Sequence, residues 1–336
     1  MQRMNQTDPL SEALGNVRLS GAIFLDAELS APWGFASPPA SAGAHLIAPS
    51  AEHMVLFHLL VEGRASVRLP GQPRLALEAG DVAILPLGDA HELWNGRGAE
   101  LTDSSALLPK ILEGAVVSER GGGGGPVTKF ICGYIGCDRQ ARRFFLAGLP
   151  PLFKVNIRRG STGAWIESTL RHLASDREPA GAGRNALLAK LAEALFIETL
   201  RRYMSELPRQ RTGWLAAARD SAVGRALGAI HREPAHPWTV ASLAEQAGMS
   251  RTVFAERFTR LLGEAPLGYV ARCRMQLGAR LLESTDDTVL EVALNAGYES
   301  EAAFNRAFKR EFDVPPARYR TQRRRGDRMA ANSDAQ

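Results

Sequence analysis

Long apolar runs are missing from this 336-residue chain. No stretch reaches the ~18 apolar residues of a membrane-spanning helix, which excludes a helical membrane protein. The opening segment MQRMNQTDPLSEAL lacks the apolar centre of a signal peptide, so the expected address is the cytoplasm. Cysteine is scarce. Cys132, Cys137 and Cys273 are too few for a disulfide framework, and reduced thiols fit the cytosol. Cys132 and Cys137 make a poor zinc pair without two further ligands. Two readings of them stay open, buried thiols or a redox-sensing pair. The run Gly121–Gly125 lacks the Lys-Ser/Thr of a phosphate-binding loop and reads as a flexible linker. No Ser-His-Asp arrangement or paired-carboxylate site stands out, so no catalytic residue and no cofactor is expected.

Lysine is scarce too: five of the 41 basic residues, namely Lys110, Lys129, Lys154, Lys190 and Lys309. The formal net charge is +5, but it is unevenly spread. Residues 1–150 carry 12 basic and 15 acidic side chains, residues 151–231 carry 13 and 7, and residues 232–336 carry 16 and 14. Basicity alone therefore points only weakly to nucleic acid.

What is present is a change of pattern along the chain. Residues 20–95 read as short, evenly spaced strands, with turns at Gly63 and Gly80-Asp81 and a strand at Val82–Leu85. Strands of this kind suggest a sandwich or barrel. From about Ser161 the period becomes helical. NALLAKLAEALFIETLRRYM sets Leu187, Leu188, Leu191, Leu195 and Leu200 near one stripe. HREPAHPW (His231–Trp238) is punctuated by proline and looks like the entrance to a last domain. Arg323–Arg325 open a polar tail expected to be disordered.

The strongest pattern is a repeat. Leu243, Ala244, Ala247 and Gly248 return 49 residues later as Val292, Ala293, Ala296 and Gly297. After one extra residue, Glu299, the offset is 50: Ser250, Phe254 and Phe258 return as Ser300, Phe304 and Phe308. Each feature has a physical use. The alanine is small where helices cross, the glycine suits a left-handed helix end, and the serine caps the next helix. The phenylalanines at i and i+4 bury one face. This is a helix-turn-helix, made twice. Pro266–Thr285 between the copies can form one helical rod.

The strings SLAEQAGMSRTVFAERFTRLLGEAPLGYVARCRMQLGARLL and VALNAGYESEAAFNRAFKREFDVPPARYR resemble the DNA-binding domain of AraC/XylS-type transcription regulators over Trp238–Arg320. Cys273 stands where many relatives carry tryptophan, and Asp313 where glycine is common. The resemblance implies that the second helix of each pair reads double-stranded promoter DNA. The candidate contacts are Arg251, Thr252, Ala255, Glu256, Arg257 and Arg260 in the first copy. In the second they are Ser300, Glu301, Ala302, Asn305, Arg306 and Lys309. Arginine can read guanine, asparagine adenine, and glutamate can accept from cytosine.

GDVAILPLGDAHELWN (Gly80–Asn95) looks like the second cupin motif, and Leu19–Arg320 is similar to AraC-type regulators that carry a cupin-like sensor domain. In metal-binding cupins His91 would be a ligand. Counting back from Gly63 puts Leu56, Pro49 and Ala51 where the partner ligands should stand, so no metal is expected. The expected effector pocket is Phe57, His58, His91 and Trp94. The resulting expectation is an α+β chain: a tail over 1–19, a cupin-like β-barrel over 20–160 and a helical coupling and dimerisation segment over 161–230. An all-α double helix-turn-helix domain over 231–322 and a disordered basic tail over 323–336 complete it. The resemblance implies a homodimeric regulator that answers a small molecule or a redox signal, with RNA polymerase as a further partner and activation as the family habit. The alternative is a cupin-type metal enzyme carrying a DNA-targeting domain.

Overall fold

The computed structural model describes residues 8–333, apart from 50, 114–115, 139–140, 147, 176–181 and 209. The chain forms two compact units. One runs from Arg18 to Glu206, and the other joins the described residues before Arg18 to those from Leu207 onward.

The first unit is cupin-like. A six-stranded sheet holds β1 (Leu19–Ser30), β3 (His53–Glu62), β6 (Asp81–Leu85), β9 (Val117–Gly122), β10 (Val127–Cys137) and β11 (Phe153–Asn156), in the order β11-β6-β3-β10-β1-β9. A five-stranded sheet holds β2 (Trp33–Ser37), β4 (Arg64–Arg68), β5 (Leu75–Glu78), β7 (His91–Asn95) and β8 (Thr102–Asp103), in the order β5-β4-β7-β2-β8. Between them lies a core of Leu25, Leu29, Trp33, Leu60, Val67, Leu93 and Phe130, drawn from both sheets. Side-chain alternation along each strand puts these on the shared face. The expected strand at Val82–Leu85 is β6, which starts one residue earlier at Asp81, so the turn falls on Ala79-Gly80 and not on the expected Gly80-Asp81.

The glycine run is not a loose linker. Its backbone N–H groups donate to Ser30 and Ala31 carbonyls at 2.8 Å. A Cβ on Gly122 would stand 1.9 Å from the Ser30 carbonyl oxygen. Only glycine lets the two backbones meet there.

Short helices α2 (Ala44–Ile47) and α3 (Leu108–Leu112) belong to this unit, followed by α4 (Ser161–Ser175) and α5 (Arg184–Glu206). Leu188, Leu191, Leu195 and Leu200 of α5 are buried, and α5 packs on β1 and β10. The amphipathic stripe thus seals the sheet. Leu187, expected on that stripe, is 48% exposed. The segment expected over 161–230 does not stay together, because α4 and α5 pack with the barrel and the chain changes unit after Glu206.

The second unit opens with α1 (Pro9–Leu14), inside the expected tail. Asp8 caps it, and Leu10 and Ala13 are buried. It packs on α7 (Val223–Arg232), which follows α6 (Trp214–Arg219). Asn16 Nδ2 donates to the His231 carbonyl at 2.8 Å. Then come α8 (Val240–Ala247), α9 (Arg251–Leu262), α10 (Pro266–Ser284), α11 (Val289–Asn295), α12 (Glu301–Phe312) and α13 (Pro316–Ser333).

The duplication covers three helices, not two. Pro266 and Pro316 begin α10 and α13 at the same 50-residue offset. Tyr269 meets Phe258 edge-on at 5.6 Å, and Tyr319 meets Phe308 edge-on at 5.3 Å. Arg274 of α10 donates to the Pro234 and His236 carbonyls. Arg324, its counterpart in α13, donates to the Thr285 carbonyl. Each arginine fixes the chain entering its own repeat. Helix α13 continues past Arg323 to Ser333, where a disordered tail was expected. Arg323 pairs with Glu283, and Arg324 with Asp286.

Helix α9 ends at Gly263 with φ +76, and a Cβ there would meet nothing within 4 Å. Its counterpart Asp313 has φ +63 and, among the described residues, is the one non-glycine with positive φ. Gly263→Ala is therefore expected to cost about 1 kcal/mol from backbone strain alone, while Asp313→Gly raises stability by a few tenths. Urea midpoints of the two variants against the parent check both signs.

Candidate nucleic-acid interface and effector cavity

Helices α9 and α12, the second helix of each pair, are each set by the turn before them. The Met249 N–H donates to the Ala244 carbonyl at 2.9 Å, and the Tyr298 N–H to Ala293 at the same distance. Both turns are therefore the six-to-one closure that needs a left-handed residue, supplied by Gly248 (φ +65) and Gly297 (φ +80). The inserted Glu299 falls after this closure and leaves it intact. Ser250 and Ser300 then cap α9 and α12, accepting from the Val253 and Ala303 N–H groups. Phe254, Phe258, Phe304 and Phe308 are fully buried. Burying them fixes which faces of α9 and α12 look outward.

On α9 the outward positions are Arg251, Thr252, Glu256 and Arg260, with Ala255 half-buried. On α12 they are Glu301, Ala302, Arg306 and Lys309, with Asn305 half-buried and Ser300 exposed at the cap. Asn305 Nδ2 lies 3.4 Å from Glu301 Oε1. Glu301, Asn305, Arg306 and Lys309 line one open groove of about 340 Å³ beside α12, so they share a face. Helix α10, 19 residues and so about 28 Å long, joins the two helix pairs. Tyr269 at its start packs in the first repeat, and Met275, Ala279 and Leu282 near its end in the second.

Arg257 departs from its expected place. Its Nε donates to Asp220 Oδ2 at 3.0 Å, while Asp220 Oδ1 accepts from the Ala222 and Val223 N–H groups. Burial pushes the Asp220 carboxyl up, yet the Val223 N–H and the Arg257 guanidinium more than offset this and hold it below its usual value. Arg257 thus ties α9 to the start of α7.

In the barrel unit the expected pocket comes apart. His58 and His91 meet between the sheets, Nε2 to Nε2 at 2.8 Å. Phe57 and Trp94 do not join them, because neighbours along a strand face opposite ways. The Phe57 ring lies against Gly133, on the other face from His58 and Cys132. Trp94 lies on the outer face of its sheet, with the Arg68 guanidinium 5.2 Å from its ring.

The histidine pair belongs to a chain of hydrogen bonds whose direction is fixed. The Asp89 carbonyl, 3.0 Å from His91 Nδ1, can only accept. His91 Nδ1 therefore carries the proton, its Nε2 accepts from His58 Nε2–H, and His58 Nδ1 accepts from the Cys132 thiol at 2.7 Å. Burial pushes both imidazoles down and the thiol well up, so all three are neutral. Among the described residues, no three His, Cys, Asp or Glu side chains are gathered as metal ligands. Cys132 and Cys137 lie five apart on one strand, about 17 Å, and on opposite faces. They cannot be bridged to each other, and burial raises the Cys137 thiol to about 12.

An open cavity lies elsewhere in this unit. It has a volume of about 230 Å³ and is lined by β1, β10, α2, α3 and the first turns of α5. Sequence reasoning missed it, because two short helices without a periodic signal form half of its wall.

No helix among the described residues is long and apolar enough to cross a membrane. The cupin family matches residues 8–205, and the helix-turn-helix domain family matches residues 243–322. The HTH-type transcriptional regulator AlkR of Acinetobacter baylyi is 30% identical, over 94% of this chain and 99% of its own. A putative AraC-like transcription regulator of Streptomyces lividans is 33% identical, over 69% of this chain and 78% of its own. Among solved structures, the DNA-binding domain of AdpA in complex with a target DNA is 33% identical, covering 31% of this chain and 95% of that one, with a TM-score of 0.30. A cupin-like unit, a duplicated helix-turn-helix unit, and regulators matched over 99% and 78% of their own length place this chain in the AraC-type family of DNA-binding transcriptional regulators.

Proposed function

We propose that α9 and α12 enter successive major-groove segments of one operator. Arg251, Thr252, Ala255, Glu256 and Arg260 form the first reading set. Ser300, Glu301, Ala302, Asn305, Arg306 and Lys309 form the second. Arg257 is left to brace α9. The observation that carries this reading is the match between repeats: the same buried phenylalanines leave the same helical face exposed twice. The barrel unit senses a small molecule, and occupancy changes operator affinity by a differential binding free energy. The regulator works in the cytoplasm as a homodimer and brings RNA polymerase to the promoter. The relatives it matches are named transcriptional regulators, and no catalytic role is proposed.

Footprinting on selected genomic fragments is expected to protect two adjacent major-groove segments, with affinity falling steeply as salt rises. Arg306→Ala is expected to weaken specific binding by about 1–3 kcal/mol and to relax the base preference under α12. Titrating selected and scrambled DNA at fixed salt separates this from a phosphate contact, whose loss weakens both alike. Unchanged affinity for the selected DNA removes Arg306 from the reading set.

A further inference from the structure

We infer that the cavity at the mouth of the barrel unit is a binding site for a small, uncharged, chiefly apolar molecule bearing one hydroxyl group, and that α5 reports its occupancy. This rests on the reading of the barrel unit as a sensor.

The class of ligand follows from the walls. Phe24, Ile47, Ile111 and Leu188 supply apolar surface, and among the described residues no charged side chain lines the cavity. A carboxylate or ammonium placed there would give up water without gaining an opposite charge in the wall. Leu46 and Leu112 at the rim are 48% and 47% exposed, so apolar surface continues outward from the opening. The size is also defined. An apolar cavity of about 150 Å³ takes benzene, so 230 Å³ takes roughly nine non-hydrogen atoms. Two polar side chains line the cavity, Asn185 on the α5 side and, from β10, Tyr134. Its hydroxyl donates to the Ile47 carbonyl at 3.1 Å, which leaves an oxygen lone pair as what it offers a ligand. A ligand that donates an O–H fits that lone pair, and an ether does not.

The link to α5 is equally local. Asn185 and Leu188, in its first turns, close one side of the cavity. One turn on, α5 rests directly on β1: a Cβ on Gly21 would lie 2.5 Å from the Ala189 carbonyl oxygen. The Gly21 N–H donates to Glu193 Oε1 at 3.3 Å. Gly21 adjoins Ala22 and Ile23, which line the cavity. A ligand that spreads these walls therefore acts on the seat of α5. That helix runs unbroken to Glu206, the last residue of the barrel unit.

The test is calorimetric titration of the full chain with three probes of similar size: 1-octanol, 1-methoxyheptane and octanoate. 1-Octanol is expected to bind once per chain. 1-Methoxyheptane, which lacks the donor, binds about threefold to tenfold more weakly. Octanoate binds on the order of a hundredfold more weakly, since its charge would be buried without a partner. Ala22→Leu fills the cavity from β1, and Ile111→Trp fills it from α3. Each is expected to weaken 1-octanol at least about tenfold, and the second variant keeps the test decisive should the first fail to fold. The inference is overturned if 1-octanol does not bind, if octanoate binds as tightly, or if both folded variants bind like the parent. Operator affinity with and without 1-octanol separates this from the sensor reading. Binding in the cavity with unchanged operator affinity keeps the site and removes the sensor role. No binding of 1-octanol, with operator affinity that answers some other compound, keeps the sensor role and removes this site.

Discussion

Phe308→Ala is expected to destabilise the second three-helix repeat by about 3–5 kcal/mol, the usual loss when a fully buried aromatic ring is truncated. Phe308 sits at the centre of its core. It lies 5.4 Å from Phe304, 4.4 Å from Phe312 and 5.3 Å from Tyr319. Its neighbours in that cluster are apolar, so the space left can only collapse or stay empty. Folded domains hold only about 5–15 kcal/mol in all, and the melting temperature should fall on the order of 15 °C. The functional consequence is sharper than the stability loss. The outward face of α12 is fixed by the burial of Phe304 and Phe308, so Asn305 and Arg306 lose their aim together. The footprint should shrink to the segment read by α9. Phe258→Ala in the other repeat should have the mirrored result, because Phe258 meets Phe254 and Tyr269 at 5.5 and 5.6 Å. Urea unfolding and footprinting on one DNA measure both arms. A loss under about 1 kcal/mol, or a footprint shortened on the wrong side, would contradict the assignment of helices to grooves.

The repeat was legible because its signals are local. A glycine, a capping serine and two phenylalanines at helical spacing act within one turn of themselves, and the structure uses each as the sequence implied. The same offset was there to be read further on, at Pro266 and Pro316 and at Tyr269 and Tyr319, and it would have drawn α10 and α13 into the repeat. Arg324 shows why the tail was misjudged. Its polar surroundings read as solvent-facing, but its partner is the Thr285 carbonyl, 39 residues away. A carbonyl leaves no mark on the sequence. Arg257 was misplaced for a similar reason, since nothing near it in the chain announces Asp220.

The barrel was legible as a class and much less so as a site. Alternation along β3 already put His58 on one face, and the second cupin motif marked His91. That the two would meet depended on the spacing of two sheets. The same alternation rule, applied to Phe57 and Trp94, would have removed both from the pocket. The helix at Pro9–Leu14 joining the DNA-binding unit was out of reach, for its contacts are with α7, some 215 residues away. A short helix carries too little pattern to name its partner at that distance.

Acidification should weaken the DNA-binding unit, and His231 is the reason. It is buried among Trp214 and Tyr269, with its Nε2 2.6 Å from the Tyr269 hydroxyl. That hydroxyl also accepts from Trp214 Nε1 at 2.7 Å, so the ring sits in a buried hydrogen-bonded cluster. Burial, reinforced by Arg280 and Arg272, pushes His231 down to about 3. In the unfolded chain the same ring titrates near 6.5. Between those values the unfolded state binds the extra proton, so the contribution of His231 is complete above pH 6.5 and fades as pH falls toward 3. Between pH 8 and pH 5 this amounts to about 2 kcal/mol. Asp220, held below its usual value, adds its own loss only at lower pH, which keeps this window clean. His231→Gln keeps a hydrogen-bonding group beside Tyr269 but has no proton to gain. It should be less stable than the parent at pH 8 and nearly flat down to pH 5. Urea midpoints followed by the fluorescence of buried Trp214 read the two slopes, and equal slopes would show that His231 is already protonated in the folded unit.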